Sequence, residues 1–519
     1  MYARRVLLLL VVCSFVAATG DALRAEVKLP PFFSDHMVLQ RETKAPIWGT
    51  AAAGEKVTVK FREQTKDATA DDKGLWRVEL TALKAGGPDE LSVAGSNTIT
   101  LKDVLVGEVW VGSGQSNMAG TVGTTTTGYA KDDPVLAALA AKDYPQIRGC
   151  NARGGWSVAE VKNNPRFSAL LFPFAVRLHE ELGVPVGMML GAVGGTPSGA
   201  WLSEAALAAD APTQKLMAAY VGEYPALLKK YEEVDLPRYT AAIEKQKGAG
   251  KPTGRIPPPP SKPGMVRDQK PGYLYEQHIR PLVGYGIRGV LWDQGEAGTA
   301  VGGVDQYTLM GALIQGWRKE WSQGEFPFIY VQKPSGNGCA WDYENPVTNQ
   351  AQPFTNAPAA VPTDGLYVET HVKIMNYPNT GMTISSDLGP YTHPTNKSGY
   401  GSRSAQVALG MAYGKPVEYY GPVYKSHTVE GDKVTITFTH LGRGLATKHG
   451  TKLQGFAVAG DDKKFVWAEA KIDGDKVVLS SPTVKEPKAI RYAWSQNRTW
   501  ANLFNQDGLP AVTFRTDSW

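Results

Sequence analysis

The chain has 519 residues, of which 42% are hydrophobic and 20% charged, and its formal net charge at pH 7 is +5. The length exceeds what one ordinary core covers, so two or three domains are expected, and the composition is that of a soluble globular protein. A positive charge this weak and dispersed argues against a nucleic-acid partner.

The first 25 residues have the three parts of a secretory signal peptide. Arg4 and Arg5 precede the apolar run LLLLVVCSFVAA, and small residues near Ala25 suit a cleavage site. We therefore expect residues 1–25 to be a signal peptide, with an uncleaved N-terminal anchor as the alternative. The mature protein would begin near Glu26 and be secreted or periplasmic, without membrane contact after cleavage.

Residues 26–103 consist of short β-prone runs separated by turn residues, among them KVTVKF and LWRVEL. Alternating apolar and polar positions predict an antiparallel, sandwich-like region. From residue 415 onward the same character returns, in KVTITFTH and KVVLS. We expect β-rich domains at 26–103 and 415–519.

Between these two regions, residues 104–414 alternate between strand and helix patterns. FSALLFPFAVRLHEELG predicts a helix that starts late or kinks at Pro173, and VPVGMMLGAV predicts a buried strand. Further along, LYEQHIRPLVGYG and YTLMGALIQGWRKEW predict helices that alternate with strands at IRGVLW and FPFIYVQ. The Pro/Gly stretch 247–264 predicts a surface loop between two halves of this domain, with a linker as the lesser option. This alternation is typical of a parallel sheet, so the predicted fold class is α/β.

GSGQSNMAG, residues 112–120, follows the strand-like run that begins at Val104. Glycines at 112 and 114 permit a tight turn, which would place Ser116 at the start of a helix, where free N–H groups favour an oxyanion. The motif is not the G-x-S-x-G elbow, because Met118 occupies the second glycine position. A serine nucleophile also requires a base, most often a histidine.

Three other strand ends carry small or polar residues in the same predicted domain. His393 lies in the stretch MTISSDLGPYTHPTN, after a predicted strand and before a helix. Gly194 and Gly195 follow the strand VPVGMMLGAV and could offer backbone N–H groups to an anion. Gln294 and Glu296 follow IRGVLWD, as site residues or as helix caps. Catalytic side chains of α/β domains lie in loops of this kind.

Other site types find no support in the sequence. The G-x-G-x-x-G at 284–289 follows a helix and precedes a strand, the reverse of a nucleotide-binding turn. No P-loop and no H-E-x-x-H occur, and the histidines and cysteines lack ligand spacing. We expect neither a metal nor a cofactor, and the pairing of Cys150 with Cys339 stays open.

Several motifs together resemble the sialate O-acetylesterases, which are SGNH-type carbohydrate acetylesterases: GEVWVGSGQSNM, GGTPSGAW, GVLWDQGEAG and DLGPYTHPTNKSG. The resemblance covers nearly all of the mature chain. It implies hydrolysis of an O-acetyl ester on a sugar or glycan, with Ser116 as nucleophile and His393 as base. It also implies that Gln115, Gly194, Gly195 and Gln294 bind the oxyanion or the substrate.

One position departs from the pattern of the SGNH hydrolases, which commonly carry an Asp three residues before the histidine. Here that position is Pro390. Asp387, Glu296 or a backbone carbonyl could orient His393 instead, and we lean towards Asp387.

Two further questions stay open at this point. The acetylated sugar could be sialic acid or a plant polysaccharide of the xylan or xyloglucan type. A non-catalytic carbohydrate-binding protein and a peptidase or amidase are the rival functions. Five aromatic residues lie on segments that could line a sugar cleft or be core: Tyr129, Trp156, Trp201, Trp292 and Trp341.

Overall fold

The structure, a computed structural model, describes residues 26–251, 254 and 256–519. The predicted signal peptide lies outside the described residues, so it stays a prediction. Within the described ranges, no helix combines the length and the apolar character needed to cross a membrane.

The N-terminal β-rich region forms six strands, several of which alternate between buried and exposed side chains. In LWRVEL, for example, every second residue is buried, as expected for a strand with one solvated face. The strands are β1 (Val38–Gln40), β2 (Ala45–Thr50), β3 (Lys56–Phe61), β4 (Gln64–Thr69), β5 (Leu75–Leu80) and β6 (Gly86–Ala94).

The central region forms seven strands in the order β13-β12-β11-β7-β10-β8-β9, parallel except for β9. Their apolar runs are buried on both faces, as parallel sheets require. The strands are β7 (Thr98–Gly114), β8 (Tyr144–Asn151), β9 (Gly154–Ala159), β10 (Val186–Ala192), β11 (Gly289–Asp293), β12 (Phe328–Val331) and β13 (Thr380–Thr383).

The long strand β7 connects the N-terminal and central regions. Its first part pairs with β1 and β6, and its second part pairs with β10 and β11. The strands β1, β3, β4 and β6 therefore belong to the same 11-stranded sheet as the central strands. The predicted domain boundary at 103/104 lies inside β7, and the domain limits stay a prediction.

Helices connect the central strands and cover the sheet. The predicted helix at 167–183 begins at Leu171, so that Pro173 stands in its first turn, and it ends at Gly183 with φ 65°. The helices are α1 (Ser116–Ala119), α2 (Pro134–Ala140), α3 (Leu171–Leu182), α4 (Glu204–Ala209), α5 (Ala211–Lys230), α6 (Leu236–Gly248), α7 (Tyr273–His278), α8 (Gln306–Trp321), α9 (Leu366–Lys373) and α10 (Lys397–Tyr413).

The run LYVETHV, with its β-branched and aromatic residues, suggests a strand, and here the structure differs. These residues form α9, in which Val368 and His371 are buried on one face. Residues three apart share a helix face, so burial of this pair is what a helix with one face on the core produces.

The C-terminal strands are antiparallel and enclose a second core, which includes Val434, Ile436 and Phe456. They are β14 (Val423–Glu430), β15 (Lys433–Thr439), β16 (Leu445–Thr447), β17 (Phe456–Ala459), β18 (Val466–Trp467), β19 (Glu469–Asp473), β20 (Lys476–Ser480), β21 (Ala489–Tyr492), β22 (Leu503–Asn505) and β23 (Phe514–Arg515). The predicted α/β fold with β-rich segments at both ends is confirmed.

Candidate active site

Five parallel strands end at the same edge of the central sheet, and the predicted site residues follow them. Gly114, the last residue of β7, lies beside Ala192 of β10 and Asp293 of β11 in register. Beyond them, β12 and β13 end at Val331 and Thr383. The loops after these strands therefore meet at the carboxyl edge of the sheet, where ligand sites of α/β proteins lie.

The turn that presents Ser116 requires a glycine at position 114. Gly114 has φ 125°, and a Cβ there would lie 2.6 Å from the carbonyl carbon of Asp293. The next residue, Gln115, donates its backbone N–H to the Asp293 carbonyl over 2.8 Å. Ser116 then begins α1 and is half-buried, while its neighbours Gln115 and Asn117 are buried.

The hydroxyl of Ser116 lies 2.7 Å from Nε2 of His393. This is the hydrogen bond expected between a nucleophile and its base. Within the described residues it is the one hydrogen bond of the His393 side chain, which is otherwise exposed.

The loop that carries His393 is held through its backbone on both sides of the histidine. Asn117 donates from Nδ2 to the Thr392 carbonyl over 3.0 Å. Lys397 donates from Nζ to the Pro394 carbonyl and to Oδ1 of Asn117, each over 2.7 Å. Asn117 follows the serine directly, so these contacts fix His393 relative to Ser116.

Lys397, the first residue of α10, has a buried amino group. Its ammonium lies 4.4 Å from the ring centre of Tyr129, a cation–π contact. Burial lowers the pKa of Lys397 to about 7, although the carboxylate of Asp293 acts in the opposite direction.

The glycine loop after β10 lies against the serine. A Cβ placed on Gly194 would lie 3.5 Å from Cβ of Ser116. In the described part of the chain, the backbone N–H groups of Ser116 and Gly194 have no protein acceptor. Gly195 has φ 72°, and its carbonyl accepts a hydrogen bond from Arg267 over 2.8 Å.

Gln294 is buried and its amide is already in use. Nε2 donates to the carbonyls of Gly298 at 2.9 Å and Thr196 at 3.3 Å, and Oε1 accepts from Gln306. Both amide hydrogens are therefore directed at backbone oxygens. In this structure Gln294 holds the loop behind Gly194 and Gly195 and has no free donor for an oxyanion.

Glu296 belongs to a buried charged group beneath the serine turn. Nζ of Lys333 lies 2.7 Å from Asp293 and 2.8 Å from Glu296, and the amide of Gln115 donates to the same Glu296 carboxylate. Burial opposes the charge on Lys333, but the two carboxylates together raise its pKa above the usual value. Through this hydrogen bond, Gln115 and Glu296 connect the serine turn to the Lys333 ion pairs.

Asp387 forms a buried ion pair with Arg403. The guanidinium donates to both carboxylate oxygens, over 3.1 and 3.0 Å, and both side chains are buried. Across the described ranges, neither Asp387 nor Glu296 makes a hydrogen bond or an ion pair with His393. The preference for Asp387 as the orienting acid therefore has no support in the geometry.

Comparisons with known proteins identify the chain's relatives. No protein-family model matches it. The sialate O-acetylesterase of Rattus norvegicus is 26% identical over 549 residues, which cover 96% of this chain and 94% of the rat protein. The corresponding protein of Homo sapiens is 26% identical over 538 residues, covering 93% and 91%.

A solved structure extends this likeness to the fold. The carbohydrate acetylesterase of Xanthomonas citri is 31% identical to the chain, with a TM-score of 0.72, and the match covers 95% of this chain and 100% of the other. The chain belongs to the carbohydrate acetylesterases. It is a carboxylic ester hydrolase, as predicted, and the resemblance to the sialate O-acetylesterases is confirmed.

In this acetylesterase, most of the aromatic residues considered for a sugar cleft are core. Trp156, Trp201 and Trp292 are at most 5% exposed. Tyr129 lies beside the Lys397 ammonium, and Trp341 packs against Phe504.

Sequence reasoning did not single out the residues that hold the acetylesterase site together: Asn117, Lys333, Lys397 and Arg403. Asn117 and Lys397 stand inside the two motifs that carry Ser116 and His393, and this proximity was the available signal. Lys333 lies in a loop without a motif, and its role depends on contacts between distant segments.

Proposed function

We propose that this acetylesterase is a serine hydrolase in which Ser116 is the nucleophile and His393 is the general base. The observation that supports the proposal is the 2.7 Å hydrogen bond between Ser116 Oγ and His393 Nε2. The two residues are 277 positions apart in the chain and lie on loops after two different strands.

In the proposed reaction, Ser116 Oγ attacks the acetyl carbonyl while His393 Nε2 takes the hydroxyl proton. His393 returns that proton to the sugar oxygen as the C–O bond breaks, which leaves an acetyl group on Ser116. Water, deprotonated by His393, then attacks the acetyl-serine. The bond between the acetyl carbon and Ser116 Oγ breaks, His393 returns the proton to that oxygen, and acetate is released.

Backbone N–H groups are the proposed oxyanion donors. Gly194 lies against Ser116, and the N–H groups of both residues have no acceptor among the residues that the structure describes. A donor of this kind contributes about 2.7–4 kcal/mol to the transition state. Gln294 is proposed to act indirectly, by holding the glycine loop through the Thr196 carbonyl.

We propose that the reaction uses a Ser–His pair without a carboxylate on the histidine. In a Ser-His-Asp triad the acid orients the imidazole. Here the hydrogen bonds from Asn117 and Lys397 to the carbonyls on either side of His393 perform this positioning.

The proposed substrate is an O-acetylated sugar, and the names of the mammalian relatives point to acetylated sialic acid. Acetylated xylan or xyloglucan is the alternative to test beside it. We also propose export through residues 1–25, which would place the enzyme in the periplasm or outside the cell.

The first experiment compares acetate release by the wild type, Ser116→Ala and His393→Ala on p-nitrophenyl acetate, 9-O-acetyl-N-acetylneuraminic acid and acetylated xylan. Both variants should lose at least about 10⁴-fold in kcat/KM with an unchanged circular dichroism spectrum. Ser402→Ala, at a half-buried serine of α10 that accepts a hydrogen bond from Arg177 of α3, is the matched control and should retain activity. Wild-type activity in Ser116→Ala would refute the proposal.

A further inference from the structure

Tyr391 is exposed in the loop that carries the proposed base, two residues before His393. Its side chain is 78% exposed, more than any other large hydrophobic or aromatic side chain in the described part of the chain. Within the same residues it makes no hydrogen bond and no ring contact. Burial in the core therefore does not explain an aromatic residue here.

The backbone of Tyr391 is also strained. Its φ is 75°, in the left-handed region that bulky residues rarely adopt. Such a conformation persists only where the surrounding structure imposes it, and it concentrates at functional sites. A glycine would adopt it freely, so the presence of a tyrosine requires another reason.

The flanking contacts that impose this conformation are visible. Asn117 holds the Thr392 carbonyl on one side. On the other side, Pro390 packs so closely on Gly336 that a Cβ there would lie 3.0 Å from Cα of Pro390. The exposed ring of Tyr391 therefore extends from a backbone that is held two residues before His393.

A carbohydrate acetylesterase must hold a ring that it does not alter while it cleaves an ester on that ring. Aromatic side chains offer a flat apolar face with little loss of conformational freedom, and binding energy from unreactive parts of a substrate can orient the reacting group. Trp156, Trp201 and Trp292 are buried and cannot serve. We infer that the ring of Tyr391 is the platform on which the pyranose ring of the acetylated sugar packs.

This inference rests on the proposed function of Ser116 and His393, and its test separates the two. Acetate release is measured on xylose tetraacetate and 9-O-acetyl-N-acetylneuraminic acid, and on ethyl acetate, which has no ring. Tyr391→Ala should lower kcat/KM roughly tenfold on the sugar esters and leave ethyl acetate within about twofold of the wild type. Tyr391→Phe keeps the ring and should retain activity on all three.

Tyr391→Gly separates the ring from the backbone. It should match Tyr391→Ala in its loss on sugar esters, yet unfold at a temperature no lower than the wild type, because glycine removes the strain. If Tyr391→Ala lost kcat/KM equally on sugar esters and on ethyl acetate, or lost none on either, the platform would be overturned. Full activity in Ser116→Ala, assayed in parallel, would instead overturn the proposed function and the platform with it.

Discussion

Lys397 shows how much of this site depends on one buried side chain. Its ammonium joins the segment after Ser116 to the segment around His393. The charged groups that act on it are Asp293, Glu296, Lys333 and Asp133, and the rings of Tyr129 and Tyr400 face it. Burial is the largest influence and disfavours its charged form.

The lowered pKa of Lys397 predicts a pH dependence of stability. Between pH 7 and the ordinary lysine value of 10.5, the unfolded chain keeps this proton and the folded chain does not. The free energy of unfolding therefore rises with pH in this window, by about 1.4 kcal/mol per pH unit. The measurement is urea denaturation at pH 7, 8 and 9 of the wild type and of Lys397→Met, which lacks the titrating group.

The unfolding free energy of the wild type minus that of Lys397→Met should rise with pH. Parallel curves of unfolding free energy against pH would contradict the prediction.

The same variant tests the loop that carries His393. Without the hydrogen bond to Pro394, kcat on p-nitrophenyl acetate should fall by about a hundredfold, since small misplacements of a catalytic group cost that much.

At the level of secondary structure, the end of β7 decides where the serine stands. The strand runs between β10 and β11, and Gly114 ends it against the backbone of Asp293. The backbone N–H of Gln115 then pairs with the same Asp293 carbonyl. A side chain at position 114 would have to displace β11, which carries Gln294 and Glu296 at its end.

Gly114→Ala should therefore destabilise the fold more than the same change at a glycine with free space. Gly183, the C-terminal residue after α3, has φ 65° and no atom within 4 Å of a Cβ. Gly183→Ala should cost about 1–2 kcal/mol of unfolding free energy from backbone strain alone. Gly114→Ala should lower the free energy of unfolding, measured by urea denaturation, by several kcal/mol and should abolish esterase activity. Equal losses of unfolding free energy in the two variants would contradict the close contact with β11.

In the whole molecule, the N-terminal strands and the α/β region share one core. Phe32 and Phe33 pack with Trp48 of β2 and with Tyr285, which precedes β11. The C-terminal strands have a core of their own. The two buried cysteines, Cys150 and Cys339, are free and form no cross-link.

The shared core predicts that damage in the N-terminal region disables the distant site. Phe33 is 3% exposed. Its replacement by Ala should lower the free energy of unfolding by about 3–5 kcal/mol. The temperature of half-inactivation and the midpoint by circular dichroism should then fall together. Phe354→Ala, at a half-buried position, is the control and should shift both less; an unchanged inactivation temperature in Phe33→Ala would show that the two regions unfold independently.

Local pattern was sufficient for much of the fold and for part of the site. The strand before Ser116, the helices around α3 and α8 and the turn glycines follow from periodicity and backbone sterics, which act between near neighbours. The same reasoning selected Ser116 and His393, which the structure brings within 2.7 Å. The strand expected for LYVETHV, which contains His371, was wrong: these residues form α9. β-Branched residues in a short run do not distinguish a strand from a helix.

The sequence by itself determined the α/β class, the turn that exposes Ser116 and, through its motifs, the resemblance to the acetylesterases. Only the tertiary structure decided which charges meet: Asp387 pairs with Arg403, Glu296 pairs with Lys333, and Lys397 joins the loops of Ser116 and His393. It also decided which aromatic side chains are buried and that Tyr391 is exposed. The physical reason is distance along the chain, since buried ion pairs and burial itself depend on segments that local pattern cannot relate to one another.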